Sequence, residues 1–209
     1  QEVSLGANFS RQIEQELDVS EDALLKQRVN AIGQKIAHVS HRQDLVYRFR
    51  VISDKEINAF AVPGGYIYVN TGLLQMADDD ELASVIAHEV GHVAAKHSVK
   101  ALQAALGYQL LTGLIFQGEK YQSALKPGNI VFNLMHLNYS RADELFADKL
   151  GIHYVSLAGF DPQGMIHFFQ KLKLKQKKEG SSEGIFLLRS HPYVNQRIEA
   201  AKKEIDLLG

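Results

Sequence analysis

The sequence contains no cysteine at any of its 209 positions. The fold therefore cannot depend on disulfide bonds, and no thiolate is available to bind a metal. Any zinc site in this chain must be built from histidine, glutamate, aspartate and water. The absence of cysteine does not by itself indicate the compartment in which the protein works.

The chain also lacks an excess of charge of either sign. Its 23 lysine and arginine residues are balanced by 24 aspartate and glutamate residues, which leaves a formal net charge of −1. This balance gives no electrostatic reason to expect nucleic acid or an anionic membrane surface as a partner. No internal repeat is visible, and the length predicts a single domain over residues 1–209.

No apolar run is long enough to predict a transmembrane segment. The longest, Ala101 to Phe116, is interrupted by polar residues and glycines, whereas a membrane span needs roughly 20 apolar residues. A buried or lid helix is favoured over membrane contact. The chain begins at Gln1 without a methionine or a cationic, apolar leader. This start fits a mature, exported protein after signal removal, and equally a chain expressed without its natural start.

Hydrophobic periodicity predicts a mainly helical α+β fold with a small antiparallel sheet. The predicted helices cover residues 5–17, 20–40, 78–97, 101–116, 140–157, 161–178 and 193–207. The predicted strands cover residues 46–52, 58–61 and 66–70. Segments 117–129 and 179–184 have loop composition, and 130–139 is ambiguous. Asp78 and Glu81 have capping-box spacing and predict where the third of these helices begins.

The most informative stretch is His-Glu-Val-Gly-His at positions 88–92. Residues four apart on an α-helix share a face, so His88 and His92 can direct two imidazole nitrogens at one metal. Glu89 lies one step round the helix. From there its carboxylate can reach a water bound to that metal without binding the metal itself.

A catalytic zinc normally has three protein ligands, so a third is needed from a neighbouring rigid element. Glu144 is the best candidate for this third ligand. It lies four residues before Asp148, and the two carboxylates share one face of a predicted helix. Glu144 can bind the metal while Asp148 accepts a hydrogen bond from the outer ring nitrogen of a ligand histidine.

Further motifs accompany these residues in order along most of the chain. They are NAFAVPGG at 58–65, TGLL at 71–74, DELA at 80–83, SRxxExxAD at 140–148, and SHP at 190–192 followed by Arg197. Together with the motif at 88–92 they resemble the M48 peptidases, which are gluzincin metalloproteases, in their soluble bacterial branch. The sequence shows neither the transmembrane helices of other M48 branches nor the tetratricopeptide repeats that some soluble members carry.

The resemblance implies a zincin-like domain whose small sheet packs on the motif helix. It implies one zinc ion bound by His88, His92 and Glu144, with Asp148 hydrogen-bonded to a ligand histidine. In such a site Glu89 is the general base for the zinc-bound water that attacks a peptide carbonyl, and it then protonates the leaving amine. The expected function is endopeptidase cleavage of unfolded or misassembled envelope proteins. The expected location is the periplasm or another exported compartment, with membrane association left open.

The role of His191 is left open by the sequence. In some soluble M48 members the matching His-Pro pair resembles an extra zinc ligand, which would displace the catalytic water. His191 could instead be catalytic as a donor to the tetrahedral intermediate, or only mark a helix entry. A closed site would predict a chaperone-like or binding module with little proteolysis. Arg197 either anchors the His191 loop or a carboxylate, or makes a surface salt bridge.

A substrate-binding role is predicted for the third strand, which contains Tyr66 and Tyr68. As an edge strand it could pair with an extended substrate through main-chain hydrogen bonds, and an ordinary half-buried strand is an equal alternative. Asn58 and Gly65 would shape that edge.

The remaining histidines are interpreted as structural or surface residues, because none has a partner at ligand spacing. They are His38, His41, His97, His136, His153 and His167. His97 follows His92 by five residues, so its side chain is expected to point away from the metal-binding face.

Overall fold

The computed structural model describes residues 1–106, 139–179 and 185–208, which form nine helices and three strands. The helices are α1 (Glu2–Glu16), α2 (Ala23–His38), α3 (Thr71–Met76), α4 (Asp79–Ala94), α5 (His97–Leu106), α6 (Arg141–Leu157), α7 (Gln163–Glu179), α8 (Phe186–Ser190) and α9 (Val194–Asp206). The strands are β1 (Arg48–Ile52), β2 (Ala59–Val62) and β3 (Tyr66–Asn70). The prediction of a mainly helical α+β fold is confirmed.

Several predictions fall partly or wholly outside the described residues. The helix predicted over 101–116 begins earlier, at His97, and its continuation beyond residue 106 lies outside them. The loop at 117–129, the ambiguous segment up to residue 138 with its His136, and residues 180–184 of the second loop lie outside them as well. Among the helices of the described ranges, none combines the length and apolar character that a membrane crossing requires.

The sheet is mixed, so the prediction of a purely antiparallel sheet is wrong. Its strand order is β1-β3-β2, with β1 parallel to β3 and β2 antiparallel to β3. A tight turn containing Gly64 and Gly65, both with positive φ angles of 81° and 89°, joins β2 and β3 as a hairpin. The chain from β1 crosses to the far edge before this hairpin returns β3 to the centre. Alternation identifies strands, but it does not determine their order or direction.

The two faces of the sheet pack against different helices. Phe60, Tyr66 and Tyr68 belong to an apolar cluster that also contains Leu5 and Phe9 of α1. The alternate residues of the same strands join the larger core cluster that surrounds α4. They are Ala59, Ala61, Ile67 and Val69. The period of two along each strand therefore separates the side chains facing α1 from those facing the motif helix.

The N-terminus of α4 is fixed by the predicted capping box. The Asp78 carboxylate accepts a hydrogen bond from the Glu81 N–H at 3.0 Å, and the Glu81 carboxylate accepts one from the Asp78 N–H at 2.9 Å. Every residue from Glu81 to Val93 is buried. The helix ends at Ala94, just before Lys96, whose φ of 57° is left-handed and breaks the helical path before α5.

Helices α4 and α6 approach closely because glycine lies at their contact. A Cβ atom added at Gly91 would lie 2.8 Å from the Ala147 carbonyl oxygen. A Cβ atom added at Gly151 would lie 3.1 Å from the main-chain nitrogen of His88. The start of α6 is set by a second capping box, formed by Ser140 and Asp143. These contacts bring the first three turns of α6 against the motif of α4.

Candidate metal centre

Four buried side chains direct electron-rich atoms to one point between α4, α6 and the loop that follows α8. The Nε2 atom of His88 lies 3.0 Å from Nε2 of His92 and 3.2 Å from Nδ1 of His191. The Oε1 atom of Glu144 lies 2.9 Å from the same His191 nitrogen and 3.4 Å from the His92 nitrogen. One ligand atom from each of these four residues lies within 4.8 Å of the others.

These distances fit a tetrahedral cation. Zinc bonds of about 2.0–2.1 Å to nitrogen or oxygen place ligand atoms about 3.3 Å apart in a tetrahedron. The distances within the cluster lie on both sides of that value, and His88 Nε2 lies 3.7 Å from Glu144 Oε2. Three imidazole nitrogens and a carboxylate are also ligand types that zinc accepts. The residues present therefore fit the metal that the sequence predicts.

The outer nitrogen of His88 contacts Asp148, as predicted. His88 Nδ1 lies 2.8 Å from Asp148 Oδ1, and because a carboxylate can only accept, the ring donates there. The neutral ring then presents the lone pair of Nε2 to the cluster. Burial lowers the pKa of His88, which favours this neutral form.

Arg197 connects both carboxylates of α6 to the His191 loop. Its Nε and Nη2 atoms donate to the two Asp148 oxygens at 2.7 Å each, and Nη1 lies 2.7 Å from Glu144 Oε2. Nη1 also donates to the His191 carbonyl oxygen at 3.3 Å. Burial opposes ionisation of Asp148, but the Arg197 charge outweighs it and lowers the pKa of Asp148 to about 2. Arg197 is only 3% exposed, so the surface salt-bridge alternative is wrong.

Replacing Arg197 with leucine is expected to destabilise the metal-free protein. The substitution leaves the Asp148 and Glu144 carboxylates buried without their counter-charge, which costs about 3–5 kcal/mol. For a chain of this size that loss lowers the melting temperature by about 10 °C. Thermal unfolding followed by circular dichroism measures the shift. Lys202→Leu removes an exposed ion pair with Glu199 and should melt close to the wild type. Equal melting temperatures for the two variants would contradict the role of Arg197 as the counter-charge of the two buried carboxylates.

The Glu89 carboxylate lies beside the cluster and outside the ligand set. It is fully buried, and within the described residues neither of its oxygens makes a hydrogen bond of normal geometry. His191 Nε2 lies 3.7 Å from Oε1, and the main chain of Ala61 in β2 is close enough to favour ionisation. Burial dominates and raises the pKa of Glu89 to about 7. Such a group can both take up and release a proton near neutral pH.

His97 contacts the metal centre, so the expectation that it points away is wrong. Its Nδ1 atom lies 3.0 Å from Nδ1 of His92, and its Nε2 atom lies 3.1 Å from Asp143 Oδ1. The prediction assumed one continuous helix. The left-handed turn at Lys96 instead redirects the chain and returns the first residue of α5 to the site.

Tyr139 is a site residue that the sequence analysis missed. Its ring stacks on the His92 ring, with centroids 3.9 Å apart and planes at 25°. Burial raises the pKa of its hydroxyl well above the ordinary value, so the group stays protonated. The only sequence signal was its position directly before the Ser140 helix cap, and that position did not indicate where the Tyr139 ring points.

The predicted substrate strand is not an edge strand. β3 lies between β1 and β2, so the edge-strand prediction for Tyr66 and Tyr68 is wrong. Tyr68 is fully buried, and its hydroxyl donates to Ser10 Oγ of α1 at 2.9 Å. Gly65 lies in the β2–β3 turn. Asn58 immediately precedes β2, and both polar atoms of its buried amide lack a hydrogen-bond partner among the described residues.

A helical domain with this small sheet, a buried three-histidine and glutamate cluster, and a free carboxylate beside it has the layout of a metallopeptidase. A sequence model of peptidase family M48 matches residues 23–205. The chain therefore belongs to family M48, and the predicted enzyme class, a metalloendopeptidase, is confirmed at the level of the family.

Curated relatives agree with this family. The beta-barrel assembly-enhancing protease of Escherichia coli strain K12 is 30% identical over 97% of this chain and 43% of its own length. Metalloprotease LoiP from the same strain is 31% identical over 77% of this chain and 64% of its own length. Mitochondrial metalloendopeptidase OMA1 of Schizosaccharomyces pombe is 30% identical over 81% of this chain and 50% of its own length. The chain thus spans less than half of the assembly-enhancing protease.

Proposed function

We propose that this protein is a zinc-dependent endopeptidase that hydrolyses unfolded or misassembled polypeptides. The observation that carries the proposal is the group of four buried ligand atoms within 4.8 Å of one another, at spacings that suit a tetrahedral zinc, with the Glu89 carboxylate beside them. Ligands come from α4, α6 and the loop after α8, so we treat residues 1–209 as one metallopeptidase domain.

In this proposal His88, His92 and Glu144 hold the zinc. When bound, the metal supplies Lewis-acid polarisation and lowers the pKa of water in its open position. Glu89 accepts the proton of the attacking water and then delivers it to the leaving amine. A pKa of about 7 suits both transfers, because the carboxylate is not strongly committed to either state. Asp148, paired with Arg197, holds the His88 ring in its metal-binding tautomer.

We assign His191 as a fourth zinc ligand in this conformation of the protein. Its Nδ1 atom occupies a ligand position, and Arg197 holds its carbonyl oxygen. A site with four protein ligands has no open position for water, so this conformation is a resting form. Activity then requires His191 to move away, after which its protonated ring could still serve as a donor to the reacting carbonyl.

An extended substrate would bind along β2. Its other edge pairs with β3, and among the described strands none pairs with its outer edge. All four residues of β2 are buried, so in this proposal a peptide adds there only once the covering residues move aside. The main chain of Ala61 in this strand lies near Glu89, so a peptide added there would lie beside the general base. Asn58, at the start of β2, is proposed to shape this edge, because its buried amide has no hydrogen-bond partner among the described residues.

The natural substrates are proposed to be envelope proteins, and the location a periplasmic or other exported compartment. This proposal rests on the similarity to proteases named for enhancing beta-barrel assembly. A second candidate function is favoured by the four-ligand arrangement: a chaperone-like or binding module whose closed zinc site supports little proteolysis.

Removal and return of the metal tests the proposed activity. The purified protein should contain about one zinc per chain by elemental analysis and should cleave a reduced, denatured protein slowly. Treatment with a chelator should abolish cleavage, and one equivalent of zinc should restore it, because the attacking water is activated at the metal. Cleavage that continues in the zinc-free protein would contradict the proposal. Stoichiometric zinc without any cleavage would favour the binding-module alternative.

A further inference from the structure

The two ligand histidines of α4 contact different groups through their outer ring nitrogens, which face away from the proposed metal position. His88 contacts the buried Asp148 and Arg197, which belong to the site already described. The outer nitrogen of His92 contacts His97, and His97 in turn contacts Asp143. We propose that His97 is a positioning residue that orients His92 for zinc and is itself oriented by Asp143. This inference rests on the proposed zinc site.

The contact between His97 and Asp143 indicates which ring nitrogens of His97 and His92 carry protons. His97 Nε2 lies 3.1 Å from Asp143 Oδ1, and the negative carboxylate at this ion-pair distance favours a ring proton on that nitrogen. The Nδ1 atom of a neutral His97 ring is then an acceptor. Among the described residues it lies 3.0 Å from His92 Nδ1, which in this tautomer carries the proton and donates it. His92 is thereby held with a lone pair on Nε2, the atom that faces the other ligands.

The first turn of α6 gives Asp143 a fixed position. One oxygen of Asp143 accepts hydrogen bonds from the Ser140 N–H at 3.2 Å and from the Ser140 hydroxyl at 2.6 Å. The other oxygen is left to contact His97. Two adjacent residues of one helical turn therefore have different roles. Glu144 faces the metal position, and Asp143 contacts His97, which in turn contacts the ligand His92.

Packing leaves the His97 ring little freedom. The residue is only 4% exposed and begins α5 directly after the left-handed turn at Lys96. Its ring meets the Phe146 ring, with centroids 6.2 Å apart. Tyr139 stacks on the His92 ring. Because both imidazoles are confined by neighbours, the contact between their Nδ1 atoms fixes ring orientation.

Two substitutions at His97 separate the hydrogen bond from the bulk of the side chain. Asparagine places its amide oxygen near the position of Nδ1 and can still accept from His92. Glutamine places its amide near the position of Nε2 and loses that contact. Zinc affinity is measured by competition with a chromophoric chelator, using the full chain. His97→Gln should bind zinc about 10- to 100-fold more weakly than the wild type, and His97→Asn should stay within about threefold.

A control variant and a folding check separate a local effect on zinc affinity from a loss of folding. His153→Gln alters a half-buried histidine that contacts Glu204, and it should bind zinc like the wild type. Circular dichroism confirms that each variant is folded at the assay temperature. If His97→Gln does not fold, Asp143→Asn replaces it, and a smaller loss of zinc affinity is expected. Wild-type affinity in folded His97→Gln, or equal losses in both His97 variants, would overturn the inference. A wild-type protein that binds no zinc would instead overturn the proposed function.

Discussion

Glu89→Gln is expected to lower the rate of peptide hydrolysis by about 10²- to 10⁴-fold, the range lost with a general base. Glutamine has nearly the same shape, so it fits the buried position of Glu89 beside β2. Its amide cannot take a proton from the attacking water. Zinc should remain at about one per chain, because Glu89 lies outside the four-residue ligand cluster. The measurement is the initial rate of cleavage of a denatured protein, paired with elemental analysis of the same sample.

Glu199→Gln is the matched control for this substitution. Glu199 lies on α9, and among the described residues its charged contact is an exposed one with Lys202. Its replacement should leave both cleavage and zinc content unchanged. The melting temperature of Glu89→Gln should not fall, because burial already disfavours the charged carboxylate that is removed. If Glu89→Gln cleaves as fast as the wild type, Glu89 is not the base.

His191→Ala is expected to raise proteolysis by about tenfold or more. The resting conformation has His191 Nδ1 in a ligand position, so the competent form is a minority of the population. Removing the blocking ligand makes the open form dominant, and the rate rises by the inverse of its original fraction. Zinc should be retained by the three remaining ligands, with weaker affinity. The measurement is the cleavage rate at saturating zinc.

Two further variants make the His191 result specific. His167→Ala changes an exposed histidine on α7 and should leave the rate unchanged. Combining His191→Ala with Glu89→Gln should abolish the added activity, because the opened site still needs its base. A fall in activity with zinc retained would show that His191 is a catalytic donor and does not block the site. No activity in His191→Ala would favour the binding module.

Local sequence rules identified the helices that carry the candidate metal centre and most of its candidate ligands. The capping box at Asp78 positioned α4, and the spacing of four residues placed His88 with His92 and Glu144 with Asp148. These rules work because each depends on contacts within one helix. The juxtaposition of α4 and α6 depended instead on a match to whole-family motifs.

Contacts that depend on tertiary geometry were outside the reach of such rules. Alternation identified β3 as a strand, but its central place, which removed Tyr66 and Tyr68 from the proposed substrate edge, follows from how three strands pair. His97 was misplaced because a left-handed φ at Lys96, a residue type that rarely adopts it, redirects the chain. The ring of Tyr139 stacks on a histidine from another helix, and no spacing rule connects them.

A crystal structure of the purified, zinc-loaded protein, with anomalous scattering recorded at the zinc edge, tests the metal centre most directly. The expected result is one zinc per chain, with bonds of about 2.0–2.2 Å to His88, His92, Glu144 and His191. Zinc on the first three residues with water in place of His191 would contradict the closed resting form. An anomalous peak elsewhere, or none at this cluster, would contradict the zinc site itself.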